Sequence, residues 1–263
     1  MTDTPPPPTP DAPPTELDYS NLRALFINCT LSRSPKPSHT ARLQGAVANL
    51  MKSHGVHVDE IRAIDHRIAT GMQPDMTEEG WGEDEWPAIF EQVQAADILV
   101  LGTPLWLGEK TSVCTRVVER LYSSSGAYND KGQFFPYGKV AGWIVTGNED
   151  GVKHAAMNLA FSMSHLGYTI PPNPDSGWIG EIGPGSSFGD DDGEGGRVGY
   201  DNEFTLRNVN LMTWNLLHLA AIFKQRGGIP AFGTGMQQWT ELGERWGTPP
   251  LKDLILEQPT TGG

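Results

Sequence analysis

Two cysteines, Cys29 and Cys114, are all that the 263 residues contain. That excludes a disulfide framework and suits a reducing compartment. No run of 18 apolar residues occurs, so no membrane-spanning helix is expected. Basic residues are scarce as well: 19 lysines and arginines stand against 32 acids, a net charge of −13. Without a basic stripe, nucleic acid is not an expected partner. The acidity argues against anionic membranes and for solubility, and the scarce cysteines suit a cytoplasmic protein. It leaves room for a phosphate ligand, because backbone amides can hold one locally. Neither G-x-x-x-x-G-K-[ST] nor G-x-G-x-x-G is present, so a P-loop nucleotidase and a Rossmann dinucleotide motif are both unsupported. The N-terminus has no basic start and no apolar segment, unlike a signal peptide. The acids of "GDDDGEGG" (189–196) lack the ordered spacing and terminal Glu of a calcium loop, so no metal is expected.

What is present is an alternating pattern. Residues 1–20 form a Pro-rich segment that reads as a disordered tail. Strand signals then follow at "LRALFIN" (22–28), "VHVDEIRAI" (56–64), "ADILVLGT" (96–103) and "KVAGWIVTG" (139–147). A fifth and weaker one lies at "YTI" (168–170), resuming near "GWIG" (177–180). Helical spacing fills the gaps at 40–54, 84–96, 110–124, 151–165 and 201–226. This order predicts an α/β domain over 21–228, with a parallel sheet covered by helices on both faces. Residues 229–263 read as a C-terminal extension. Two long irregular stretches, 65–83 and 171–200, are of the length that is usually functional or disordered.

In such sheets ligands sit beyond the carboxyl ends of the strands. Three loops therefore carry the candidate chemistry. The first, "CTLSRSPKPSHT", offers the hydroxyls of Thr30, Ser32, Ser34, Ser38 and Thr40 ahead of a helix N-terminus, with Arg33 and Lys36 as its close positive charges. It suits a phosphomonoester, or else it is an ordinary polar loop with a capped helix. Cys29 and Arg33 are four positions apart, too close to wrap a phosphate as a cysteine-dependent phosphatase does. Cys29 reads instead as a packed strand-end thiol. The second loop, Thr103–Gly108, sets Trp106 between two leucines, which suits a flat aromatic ligand or core packing. The third, Thr146–Gly151, offers turn amides, or is a plain turn. His154 and His165, 11 apart on the fourth helix, read as surface or packing residues.

Taken together the three loops resemble the flavodoxin-like NAD(P)H-dependent FMN reductase family, over roughly residues 22–227. "SRSPKPSHT" is similar to that family's phosphate loop through Ser32, Ser34, Pro35, Ser38 and Thr40, and departs from it at His39, where Asn is usual. "TPLWLG" (103–108) and "TGNEDG" (146–151) match its second and third loops. The resemblance implies a three-layer flavodoxin-like fold with a five-stranded sheet in the order 2-1-3-4-5. It implies FMN as cofactor and NAD(P)H as co-substrate. Thr30, Ser32, Ser38, His39 and Thr40 would then hold the phosphate. Pro104, Leu105, Trp106, Leu107 and Gly108 would line the isoalloxazine, and Thr146, Gly147, Asn148 and Gly151 would meet its polar edge. Trp178 or Glu181 would cover the site or reach a neighbouring subunit. The implied activity is a ping-pong oxidoreductase that passes electrons to a quinone, flavin, metal or azo/nitro acceptor, with no side chain acting as catalyst, in a homodimer or homotetramer. The alternative is a flavodoxin-type electron carrier without NAD(P)H turnover.

Overall fold

The structure is a computed structural model and describes residues 17–183, 185–243, 245 and 248–254. In chain order the elements are β1 (Arg23–Asn28), α1 (His39–Ser53), β2 (His57–Arg62), α2 (Trp86–Ala95), β3 (Ile98–Trp106), β4 (Glu109–Lys110), α3 (Ser112–Ser123), β5 (Val140–Gly147), α4 (Val152–Leu166), β6 (Asp175–Ile179), α5 (Glu203–Arg226), α6 (Met236–Thr240) and α7 (Leu251–Leu254).

The sheet runs β2-β1-β3-β5-β6, all parallel. Once the two-residue β4 is set aside, this is the order 2-1-3-4-5, and the fold is flavodoxin-like. Alternation along β3 explains the two helical layers. Leu99 and Leu101 enter one core with α2, α3 and α4, while Ile98 and Val100 enter the other with α1 and α5. β3 is the central strand and is buried from Ile98 to Thr103, so its carboxyl end delivers Pro104–Trp106 to the middle of one sheet edge.

Two boundaries differ from the sequence reading. The fifth parallel strand is Asp175–Ile179, where the expected resumption near 177–180 lies; "YTI" supplies only an isolated bridge, Val140 to Thr169. Pro171, Pro172 and Pro174 explain this, since each removes a ladder donor and pairing resumes only beyond them. β4 has no counterpart in the sequence reading. It pairs antiparallel with the end of β3 through a turn at Leu107 and Gly108, both at positive φ (53° and 76°). That is the signature of a tight hairpin turn, and it places a leucine where glycine or asparagine is favoured.

The expected N-terminal tail lies outside the described residues as far as position 16, but the chain is already packed at Tyr19, whose hydroxyl bonds His218 Nδ1 at 2.8 Å. Beyond α5, the amide of Gln237 bonds the Gly132 carbonyl and Gln133 bonds Pro230 and Thr234, so this part of the extension lies against the segment before β5. The stretch 65–83 is tied to the body through Asp84, just beyond its end, which forms a fully buried ion pair with Arg120 at 2.7 Å. Asp84 also accepts the amides of Ala69, Met76 and Trp86. Among the described residues no helix is long and apolar enough to cross a membrane, and no cluster of His, Cys, Asp or Glu could hold a metal ion.

Candidate functional site

A cavity of about 710 Å³ opens at the carboxyl ends of β1, β3, β5 and β6. Its size is that of a site for a cofactor-sized molecule. Of the fourteen residues singled out in the sequence, twelve line it: Thr30, Ser32, Ser38, His39, Thr40, Pro104, Leu105, Trp106, Leu107, Thr146, Gly147 and Asn148. Gly108 and Gly151 do not. They meet behind the wall: a Cβ on Gly151 would stand 2.5 Å from the Gly108 Cα, so these two glycines let the second and third loops touch.

The polar end is built on α1. Ser38 is its N-cap, with extended backbone, and its hydroxyl oxygen accepts the Ala41 amide and Asn28 Nδ2, both at 3.1 Å. With both acceptor positions used, the Ser38 proton is left to be donated. Thr40 Oγ1 bonds Thr146 Oγ1 at 2.7 Å, which joins the first loop to the third across 106 positions. One proton of that pair is spent and the other is free to be given outward. Both Ser38 and Thr40 are buried, so an acceptor there must come from a ligand or water. Asn28 at the end of β1 was missed by sequence reasoning. It is the clamp of the loop, donating to Ser38 and accepting the Thr30 amide at 3.0 Å. Arg62 reaches over from β2 to bond the Lys36 carbonyl, and Asp65 accepts both the amide and the hydroxyl of Ser34. Those two bonds, hydroxyl first, hold the Asp65 carboxyl below the usual range.

The two positive charges of this loop part company. Lys36 lines the cavity, whereas Arg33 lines a smaller one beside it. His39 is turned to the fifth loop: its Nδ1 donates to the Phe188 carbonyl at 2.9 Å, with Asp190 3.5 Å away. Cys29 is fully buried, and contact with the Cys114 thiol together with burial pushes its own thiol up. A thiol in that state is neither exposed nor ionised, and it packs as the sequence reading had it.

The apolar end is different. Trp106 is 59% exposed and Leu107 93%. The Leu107 amide is caught by Glu149 Oε1 at 2.7 Å, which pins the hairpin tip against the third loop. The Asn148 side chain is turned to the fifth loop. Its Nδ2 donates to the carbonyls of Glu181, Gly185 and Ser186, between 3.0 and 3.3 Å, so it holds the fifth loop over the site. That loop brings Ile182, Ser187 and Phe188 to the cavity wall, beside the buried Trp178 of β6. Trp178 therefore does cover the site, and Glu181 takes part only through its backbone. The length of the 171–200 stretch was the one sequence signal for this lid.

The chain is similar to known proteins over most of this region. Residues 22–178 match the family model described as NADPH-dependent FMN reductase. The chain is 35% identical over 209 residues to the 8-demethyl-8-aminoriboflavin-5'-phosphate synthase of Streptomyces davaonensis, covering 78% of this chain and 79% of that protein. It is 54% identical over 206 residues to a protein of Mycobacterium bovis named divalent metal cation transporter MntH; the match covers 78% of this chain but only 30% of that protein's length. Among solved structures, RosB with the bound intermediate 8-demethyl-8-formylriboflavin-5'-phosphate superposes with a TM-score of 0.72 at 32% identity, over 84% of this chain and 86% of that one. The family carries FMN as cofactor and NAD(P)H as co-substrate. The residues present fit FMN on their own chemistry: free hydroxyl protons and a helix N-terminus at one end of the cavity, aromatic and aliphatic walls at the other.

Proposed function

The chain belongs to the NADPH-dependent FMN reductase family, a family of flavin oxidoreductases, and from that premise we propose that it is an FMN-dependent NAD(P)H oxidoreductase working by a ping-pong cycle. The acceptor would be a quinone, a flavin, a metal ion or an azo/nitro compound. The observation that carries this reading is the pairing of Ser38 and Thr40, buried donors at a helix start, with an open apolar wall at Leu105–Leu107 in the same cavity. FMN, when bound, would supply the two-electron redox chemistry that no side chain of the cavity offers.

The residues of this chain bind, orient and shield. Ser38, Thr40, Thr30 and Ser32 hold the phosphate, and Lys36 adds charge. Pro104, Leu105, Trp106 and Leu107 give the ring a flat wall. Thr146 and Gly147 face its polar edge, while Asn148 keeps water out indirectly by holding the lid. His39 couples lid to phosphate loop through Phe188. No side chain is assigned proton transfer. The test is steady-state oxidation of NADH and NADPH with a quinone acceptor: parallel double-reciprocal lines are expected, and no turnover with either nucleotide, joined to one-electron exchange with a protein partner, would favour the flavodoxin-type carrier instead.

A second reading has one observation in its favour. The relative from Streptomyces is named as a synthase of a riboflavin-5'-phosphate derivative. In that reading FMN is substrate rather than cofactor here. Mass spectrometry of the flavin recovered after turnover separates the two: unchanged mass supports the cofactor reading.

The assembly we propose is a homodimer or homotetramer of a soluble cytoplasmic protein, with neither nucleic acid nor membrane as partner, built on the 21–228 domain. Its support is the exposed apolar row Met157 and Phe161 on α4, with Phe161 stacked on His165. Two large apolar side chains one helical turn apart in solvent are what an interface on α4 would cover. Phe161→Asp should shift the light-scattering mass to that of the monomer; an unchanged mass removes α4 from the interface.

A further inference from the structure

Beside the main cavity, and one residue along the first loop, lies a second of about 160 Å³. It is walled by Arg33, Ala63, Ile64, His66, Arg67, Ile68, Val113 and Arg116. In a chain with a net charge of −13, three arginines and a histidine share one small hollow with no acid in its wall. Two of the four are occupied. Arg67 is paired with Glu83, and His66 Nδ1 lies 3.4 Å from Glu85. The other two are not. Arg33 makes no side-chain hydrogen bond or ion pair with any described residue, and Arg116 has only a long contact, Nη1 to the Ile68 carbonyl at 3.4 Å. The neighbouring Asp65 is hydrogen-bonded to Ser34 and feels the charges of Arg62 and Arg33 without a direct bond to Arg33.

Arg116 also borders a third hollow of about 540 Å³, lined by Thr70, Glu109, Lys110, Ser112, Thr115 and Glu119. It lies at the start of α3, where Lys110 is tied to Asn158 and Glu109 to His154. The 540 Å³ space is within the range that takes a nucleoside-sized molecule, while 160 Å³ is below it and takes a single group. Guanidinium groups are matched in shape and charge to phosphate oxygens.

We infer that Arg33 and Arg116 form a binding site for a phosphate group of the nucleotide co-substrate, distinct from the FMN phosphate site at Ser38 and Thr40, and that this site gives the protein its preference for NADPH over NADH. The inference rests on the NAD(P)H reading above, and its chemistry is the recognition of a phosphomonoester dianion by two arginines that form no ion pair with a described residue. The basic residues of the first loop then divide between two anions. Lys36 serves the cavity of the ring and its phosphate, and Arg33 serves the second phosphate next door.

The experiment is calorimetric titration of the FMN-loaded protein with adenosine 2′,5′-bisphosphate, adenosine 5′-monophosphate and inorganic phosphate, repeated on Arg116→Gln and Arg33→Gln. The bisphosphate should bind more tightly than the monophosphate, by about tenfold for one charge-assisted contact. Either variant should remove most of that gap, and KM for NADPH should rise by about the same factor while KM for NADH holds. Equal binding of the two nucleotides, or a gap that survives in both variants, overturns the site. Arginine-dependent binding of inorganic phosphate without any bisphosphate advantage also overturns it, since the hollow would then take free anion rather than nucleotide. Because titration needs no turnover, failure of the oxidoreductase reading would show separately, as absent NADPH and NADH oxidation. FMN content by absorbance checks that each variant is folded and loaded.

Discussion

The two ends of the main cavity are made differently. At the phosphate end Ser38 and Thr40 are buried, and each is fixed by a bond from a remote element, Asn28 of β1 and Thr146 of β5. At the ring end Trp106 and Leu107 stand in solvent on a hairpin of two paired residues per strand. One end is set before any ligand arrives; the other stands open to solvent. Preorganised donors lose little freedom on binding, which is where affinity is gained most readily. An exposed wall gives up some affinity but leaves room for two substrates to take turns, as the proposed ping-pong cycle would require.

The sharpest way to break this contrast is at the buried end. Ser38→Ala with Thr40→Ala removes two charge-assisted donors, each worth about 1.5–3 kcal/mol. FMN affinity should fall by at least about a hundredfold in a fluorescence titration. Part of any loss of stability will be the N-cap itself, about 1 kcal/mol, so a melting curve should accompany it. At the exposed end Trp106→Ala should weaken FMN less, by about three- to tenfold, which is the scale of one aromatic contact. An effect equal to that of the double hydroxyl variant would erase the distinction between the ends.

Asn148→Ala tests the lid that spans both ends. Losing its three carbonyl acceptors should raise amide exchange at 181–183 and 185–187 and quicken FMN release severalfold, with about 1 kcal/mol at stake. The smallest effect concerns pH. The Asp65 carboxyl is held below its unfolded value by the Ser34 hydroxyl and amide. A depressed carboxylate stabilises above the ordinary carboxylate range, and that contribution is lost as pH falls through it. Asp65→Asn should therefore loosen the phosphate loop at neutral pH, seen as faster exchange at Ser34, and differ little from the parent in acid.

The same contrast governs what could be read from sequence. Four of the strands, the parallel sheet and the loops that carry twelve cavity residues follow from short contiguous signals: buried runs, strand-end loops and a hydroxyl-rich helix start; the strand order comes only with the family resemblance. Asn28 is hidden because a polar residue closing a strand has no local signature, and its bonds reach ten positions ahead. The part played by His39 is equally hidden. Beside Ser38 it looks like a phosphate ligand, yet its partner is Phe188, 149 positions away. Asn148 looks like a ring-edge donor for the same reason, although its three acceptors lie in a loop whose path no periodicity announces. The fifth strand shifts because the prolines after Ile170 interrupt a ladder that the short apolar run suggests. Arg33 and Arg116 come together only when the first loop is laid against α3.

The central claim is that the buried hydroxyls bind a phosphate. The direct measurement is paired titration of the apoprotein with FMN and with riboflavin, which differ only by that group, in the parent and in the Ser38→Ala, Thr40→Ala double variant. FMN should bind the parent more tightly than riboflavin by about a hundredfold or more, and the gap should collapse in the variant while riboflavin affinity stays put. Equal affinity of the parent for both flavins, or a gap untouched by the two substitutions, would contradict it.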